Sequence, residues 1–83
     1  MNNVFLLGKY YDIRKVSNNY FSLIIIVDGK EKIPVQICKY MADSILKFCQ
    51  KGDLIGINGK IENHNNRIRI ITLKISFLSK NAI

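Results

Sequence analysis

Between Tyr20 and Val27 the chain alternates strictly: Phe21, Leu23, Ile25 and Val27 make one apolar face, and Tyr20, Ser22, Ile24 and Ile26 make the other. A period of two is the pleat of a strand. The second face is half apolar, which predicts a ligand or another chain against it. Upstream, Val4-Phe5-Leu6-Leu7-Gly8 reads as a short first strand, and Lys9 to Asn19 as a polar, basic connection ending in the turn cluster Ser17-Asn18-Asn19. Asp28-Gly29 signals a hairpin into a third strand over Lys32 to Cys38, where Ile33, Val35 and Ile37 alternate with Lys32, Pro34, Gln36 and Cys38. Pro34 has no N–H for a ladder, so its nitrogen should face an edge, a bulge or an opening.

The period then changes. Met41, Ile45 and Phe48-Cys49, widened by Ala42 and Leu46, recur at helical spacing, and Lys47, Gln50 and Lys51 close the last turn before Gly52. Leu54 to Ile61 returns to strand, with Gly56 and Gly59 marking bends or close backbone approach. Asn63 to Asn66 reads as a hairpin tip. In the last strand Ile68 and Ile70 alternate with Arg67 and Arg69, after which Ile71, Leu73, Ile75 and Phe77 take over; the slip predicts a bulge near Ile70-Ile71. One helix between the third and fourth of five strands predicts an all-β fold: a small five-stranded barrel with one α-helix, a single domain spanning residues 1–83.

Composition narrows the function. A chain of 83 residues is near the lower limit at which one core offsets chain entropy, so burial against a second copy would help it. The longest apolar run, Leu23 to Val27, is far short of the roughly 18 residues a membrane helix needs. The Met-Asn-Asn-Val start has no basic segment leading into a long apolar one. A cytoplasmic protein with no membrane partner is expected. Cys38 and Cys49 lie eleven apart with no Cys or His pair nearby, so they are read as reduced packing residues, with no metal and no cofactor. The carboxylates Asp12, Asp28, Glu31, Asp43, Asp53 and Glu62 fall mostly at turns or helix positions, and no His-carboxylate or Cys-His spacing recurs, which gives little support for an enzyme. Thirteen Lys plus Arg against six Asp plus Glu leave a net charge of +7, and such an excess on a small surface attracts polyanions.

Four segments in order, NNVFLLGK, YFSLIII, KIPVQI and MADSILKFCQKGDLIGINGKI, give the chain a resemblance to the bacterial single-stranded DNA-binding protein family over Asn2 to about Leu78. The last segment is the most specific, because the family runs its helix, a Lys-Gly corner and a Gly-containing strand together without gaps. The resemblance implies an oligonucleotide-binding (OB) barrel that binds single-stranded DNA in replication or recombination as a homodimer or homotetramer. It also implies aromatic side chains on which bases stack. Here the matching outward positions of the third strand hold Lys32 and Cys38, the loop after strand two is only Asp28 to Glu31, and the arm between strands four and five shrinks to about ENHNNR. Trp is absent, and no acidic tail follows Ser79. In these respects the chain is similar to tail-less primosomal replication proteins, which supplies the alternative: a protein-interaction subunit of a replication or primosome-like complex, with weak or no DNA binding of its own.

The residues left for nucleic acid are basic. Lys32, Gln36 and Lys39 lie on or beside the outward face of strand three and Lys30 in the adjoining loop, while Lys60, His64, Arg67 and Arg69 surround the last hairpin. Tyr10 and Tyr11 beside Lys9, Arg14 and Lys15 form a second basic-aromatic cluster, and Tyr20 and Tyr40 offer stacking faces. Lysines at strand edges also serve simply to prevent edge pairing. Val4, Leu6, Ile24 and Ile26 are the expected oligomer or partner surface. RNA stays open as a ligand, since no reader of a 2′-hydroxyl is recognisable.

Overall fold

The computed structural model describes residues 2–80. Five strands, β1 (Val4–Lys15), β2 (Tyr20–Val27), β3 (Glu31–Cys38), β4 (Leu54–His64) and β5 (Arg67–Ser79), close into a barrel in the order β1-β2-β3-β5-β4, with helix α1 (Lys39–Phe48) between β3 and β4. This is the five-stranded barrel with one interposed helix that the sequence predicts. Neighbouring strands are antiparallel except at the closure, where β3 meets β5 in parallel at Gln36↔Ile71. Pro34 pairs with Ile24 of β2 and lies on the part of β3 that β5 does not pair with, which suits its missing N–H.

The three-residue β2–β3 turn, Asp28 to Lys30, and the two-residue β4–β5 turn both rest on left-handed backbone. Asp28 and Gly29 (φ 54° and 76°) join β2 to β3, and Asn65 and Asn66 (φ 52° and 63°) join β4 to β5; two positive-φ residues give the turn whose twist matches the strands it joins. The hairpin tip is thus narrower than Asn63 to Asn66, because Asn63 and His64 still pair with Ile68 and Arg67.

Three expectations need correction. The stretch Lys9 to Lys15, read as a connection, is strand: it pairs with β2 through Lys15↔Phe21, and its polar residues lie on an outer barrel surface. The helix starts at Lys39 rather than Met41 and ends at Phe48, with Cys38 as its N-cap residue. The bulge predicted at Ile70-Ile71 is also displaced. Pairing runs unbroken through Ile61↔Ile70 and Lys60↔Ile71, and the extra residue is Leu73, between Gly59↔Thr72 and Asn58↔Lys74. A Cβ on Gly59 would collide with the backbone carbonyl oxygen of Ile71, so the two strands close on a residue with no side chain.

The core joins Leu23, Ile25, Val35, Ile37, Ile55 and Ile57 from the strands to Ala42 and Ile45 of α1, all fully or almost fully buried. Tyr10 also turns inward, and burial foremost, with Asp12 and Cys49 nearby, raises its phenol pKa. The Lys-Gly-Asp corner ties the helix exit to β1. Gly52 (φ 98°) donates its N–H to the Tyr10 carbonyl at 2.8 Å, and Tyr10 donates to the Asp53 carbonyl at 2.9 Å. The buried Asp53 carboxylate accepts the Gln50 N–H at 2.9 Å.

Candidate nucleic-acid interface

The outward residues of β2 and β3 face the same way because the strands pair in register: Tyr20 opposite Cys38, Ser22 opposite Gln36, Ile24 opposite Pro34, and Ile26 opposite Lys32. A groove of about 190 Å³ opens between this wall and the β4–β5 arm, with Tyr20, Ser22, Pro34 and Gln36 on one side and Ile68 and Arg69 on the other; Val16 also lines it. Its lining is mostly apolar, with an amide, a hydroxyl and a guanidinium set into it. The Nε–H of Arg69 is buried and has no hydrogen-bond partner among the described residues, while an Nη nitrogen reaches Glu62 at 3.3 Å. Leaving a buried donor unmet costs about 1–3 kcal/mol, so an acceptor brought by a ligand would be favoured here.

At the other end of the wall β1 contributes a bulge. Tyr10 opposes Ile25 and Asp12 opposes Ile24, leaving Tyr11 as the extra residue. Bulges re-aim side chains: Tyr10 stays in the core while Tyr11 stands exposed on the outer surface. Lys32 Nζ donates to the Tyr11 hydroxyl at 3.2 Å and sits 4.5 Å from its ring centroid. Since these residues belong to the strands on either side of β2, their side chains meet across it, which accounts for Ile24 and Ile26 being half-buried rather than open. A second concavity of about 390 Å³ adjoins, lined by Lys9, Tyr11, Asp12, Arg14 and Lys51 among others. Asp12 sits between cations: Arg14 hydrogen-bonds it at 3.2 Å and Lys51 approaches to 4.0 Å. The Arg14 bond, foremost, holds the carboxyl below its usual range.

The structure sorts the sequence-derived residues into groups. Tyr20, Gln36 and Arg69 meet at the groove. Lys9, Arg14 and, through Tyr11, Lys32 gather around β1. Lys60 and Arg69 flank Glu62 at 4.0 and 3.3 Å, with His64 opposite Arg67 at the tip of the arm. Lys15 and Lys30 are exposed, at the end of β1 and in the β2–β3 turn. Lys39 is paired with Asp43 at 3.0 Å, and Tyr40 lies beside β5 rather than in the groove. Val4, Leu6, Ile24 and Ile26 do not form one surface. Leu6 packs on the core and Val4 is half-buried, whereas Ile24 and Ile26 lie under the Tyr11–Lys32 bridge. The exposed apolar residues of β1 are instead Phe5 and Leu7, which gather with Leu78 around the bare Cα of Gly56.

Val16 and Ile68 in the groove, and Phe5, Leu7 and Leu78 on the outer wall, are the residues that sequence reasoning did not assign to these surfaces, while of the Tyr10-Tyr11 cluster it named only Tyr11 is exposed. Parity carried part of the signal: Leu6, Gly8 and Tyr10 point inward, so Phe5 and Leu7 must point out.

No family model and no curated protein matches the chain. Solved structures do. The mitochondrial single-stranded DNA-binding protein Rim1 of S. cerevisiae superposes with a TM-score of 0.76 at 12% identity, over 95% of this chain and 96% of that one. An OBody, NL8, bound to hen egg-white lysozyme gives 0.74 at 15% identity, over 98% of both chains. The dimeric N-terminal domain of the PriB protein from Thermoanaerobacter tencongensis gives 0.71 at 19% identity, over 95% of this chain and 98% of that one. At such identities the likeness is one of fold, and the fold is the OB barrel.

Proposed function

We propose that the chain binds single-stranded DNA in the groove between the β2–β3 wall and the β4–β5 arm, as a non-enzymatic protein of replication or recombination in the cytoplasm. The observation that carries this reading is the groove itself: an apolar slot with Tyr20 and Gln36 on one wall and the unmet Nε–H of Arg69 on the other. The similarity of fold to a single-stranded DNA-binding protein supports it. Lys9, Lys32, Lys60, Arg67 and Arg69 take phosphates, Gln36 meets base edges, and Tyr20 and Tyr11 present ring faces to bases. Fluorescence anisotropy with labelled oligothymidine, its duplex and oligouridine tests the reading. Tight binding of oligothymidine over duplex is expected; no binding at low salt, or a preference for duplex, would sink it. Oligouridine decides between DNA and RNA.

The alternative, a protein-interaction subunit, is favoured by the outer wall. Phe5, Leu7 and Leu78 are each about half exposed or more on one face of β1, β4 and β5, and a second copy stacked face to face would bury them in a closed dimer; a tetramer would need a second interface. The dimeric PriB domain and the lysozyme-bound OBody show this fold associating with protein. Phe5→Asp with Leu7→Asp is expected to yield a monomer in analytical ultracentrifugation with DNA contacts intact. An unchanged sedimentation coefficient removes this face from the assembly.

A further inference from the structure

Away from the groove, α1 packs mainly on β2 and β3 and leaves a cleft beside β5. The cleft has a volume of about 330 Å³ and is walled by Tyr40, Met41 and Ser44 of the helix and by Leu73, Ile75 and Phe77 of the strand. Helix positions four apart share a face, so Tyr40, Ser44 and Phe48 form a stripe along it, and Phe48 lies 6.5 Å from Phe77 between ring centroids. Phe77 opposes the fully buried Ile55, yet is 48% exposed, and Tyr40 is 79% exposed. These side chains are core-like in kind but uncovered.

The strand wall is also an open edge. One side of β5 is paired with β4 along its length, whereas among the described residues the other is paired only at Gln36↔Ile71, so from Thr72 to Ser79 the backbone groups on that side have no strand partner there. An unpaired edge beside an apolar cleft is the template for strand addition, with main-chain bonds giving affinity and alternate side chains entering the cleft. The charge at its β5 side and helix exit is positive, the nearest helix carboxylate, Asp43, being paired with Lys39 at 3.0 Å. Lys74 lines the cleft, Lys47 lies 5.3 Å from the Phe48 ring centroid, and Lys80 donates to the Phe48 carbonyl. Lys47 and Lys74 form no ion pair among the described residues. In the hollow next to it, the Asp53 carboxylate is buried in the helix-exit turn.

We infer that this cleft docks an extended, acidic segment of a partner protein, which adds as a strand to the open edge of β5, inserts alternate large apolar side chains between α1 and β5, and sets its carboxylates against Lys47, Lys74 and Lys80. A second copy of this chain is a poor occupant, because a protomer of charge +7 would bring further cations to a lysine-lined cleft. Nucleic acid is also a poor one, because Lys74 is the one cation among mostly apolar lining residues and the main-chain groups of a strand edge match a peptide backbone rather than a sugar-phosphate one.

The test uses the full chain against an array of synthetic decapeptides in which Phe or Leu alternates with Asp or Glu, beside matched peptides with Lys for the acids or Ser for the apolar residues. Acidic-apolar peptides are expected to bind, and both control series to fail. The best peptide should lose about ten-fold in affinity against Lys74→Glu, against the exposed Leu73→Ser, and when the amides along its pairing edge are N-methylated. Oligothymidine binding by both variants should stay as in the parent. Acidic peptides that bind no better than their Lys counterparts overturn the inference, as does affinity insensitive to both variants and to N-methylation. A self-associating chain that Leu73→Ser turns monomeric would assign the cleft to a second copy. Loss of oligothymidine binding in Lys74→Glu with peptide affinity retained would assign it to nucleic acid. Either result also overturns it.

Discussion

If the groove binds by charge more than by stacking, affinity must fall steeply with salt, and the slope can be worked from the cations around it. Arg69 lines the groove, Lys60 and Arg67 lie with it on the arm, Lys32 stands on the β2–β3 wall, and Lys9 pairs with Ile26 beside it. Glu62 competes for two of them at 3.3 and 4.0 Å, so about four to five phosphates are neutralised per protomer. At about −0.7 per phosphate for single strands, log K against log salt should slope near −3 to −3.5. Raising salt from about 50 to 200 mM then weakens binding by about 60- to 130-fold. Lys32→Gln with Arg69→Gln removes two contacts and should flatten the slope by about 1.4, with the two titrations converging at high salt. Anisotropy titrations of labelled oligothymidine at several salt concentrations measure this. The reasoning is refuted if the double variant keeps the parent slope, or if the parent slope is shallower than about −1, since neither the wall nor the arm would then be meeting phosphate.

Removing the competing acid should act in the opposite direction: Glu62→Gln frees Lys60 and Arg69 and is expected to tighten oligothymidine binding by about three-fold at low salt. Gly59→Ala places a methyl against the Ile71 backbone, which a side-chain rotation cannot relieve; a loss of about 2 kcal/mol, or about 8–16 °C in Tm, is expected by thermal denaturation. Alkaline pH should destabilise the fold in two steps. Burial foremost raises the Cys49 thiol above 9.0 and the Tyr10 phenol above 10.0. The folded state therefore holds these protons more firmly than the unfolded chain, and the stability this confers is present below pH 9 and is lost as pH rises through the folded values. Urea midpoints between about pH 8 and 11 should fall accordingly, and Cys49→Ala should remove the earlier decline.

The elements whose local pattern and tertiary role agree were legible in the sequence. β2 runs from Tyr20 to Val27 as alternation predicts, and both Asp28-Gly29 and the asparagine turn sit where their left-handed backbone is needed. The second half of β1 was not legible, because its strand character comes from pairing with β2 and its outward positions are free to be polar. The β5 bulge was legible in kind but not in place. Ile70, Ile71, Leu73 and Ile75 are equally apolar, so only the close approach of Gly59 to the Ile71 backbone shows where the extra residue must go. The same limit applies to the candidate site. Tyr20 and Gln36 followed from strand parity, but the meeting of Tyr11 with Lys32 depends on a bulge that no local pattern announces.

That meeting bears on how an aromatic-poor groove can hold a flexible strand. Base stacking on an aromatic ring is worth about 1–3 kcal/mol per base, and Lys32 and Cys38 occupy the outward positions of β3 where such rings would be most useful. On the proposed reading Tyr11 would partly replace them from β1, across β2. A ring has two faces; Lys32 lies over one at 4.5 Å, and the residue remains 38% exposed. A base stacked on the other face would have its own phosphate within reach of the same ammonium, so one tyrosine and one lysine would form a combined stacking and charge clamp. Tyr20 at the far end of the wall, opposite Cys38, offers a second ring beside Arg69 across the groove. On the proposed reading these two rings at opposite ends, with half-buried Ile24 and aliphatic Pro34 between them, would hold a strand at its ends and leave the middle tolerant of any base.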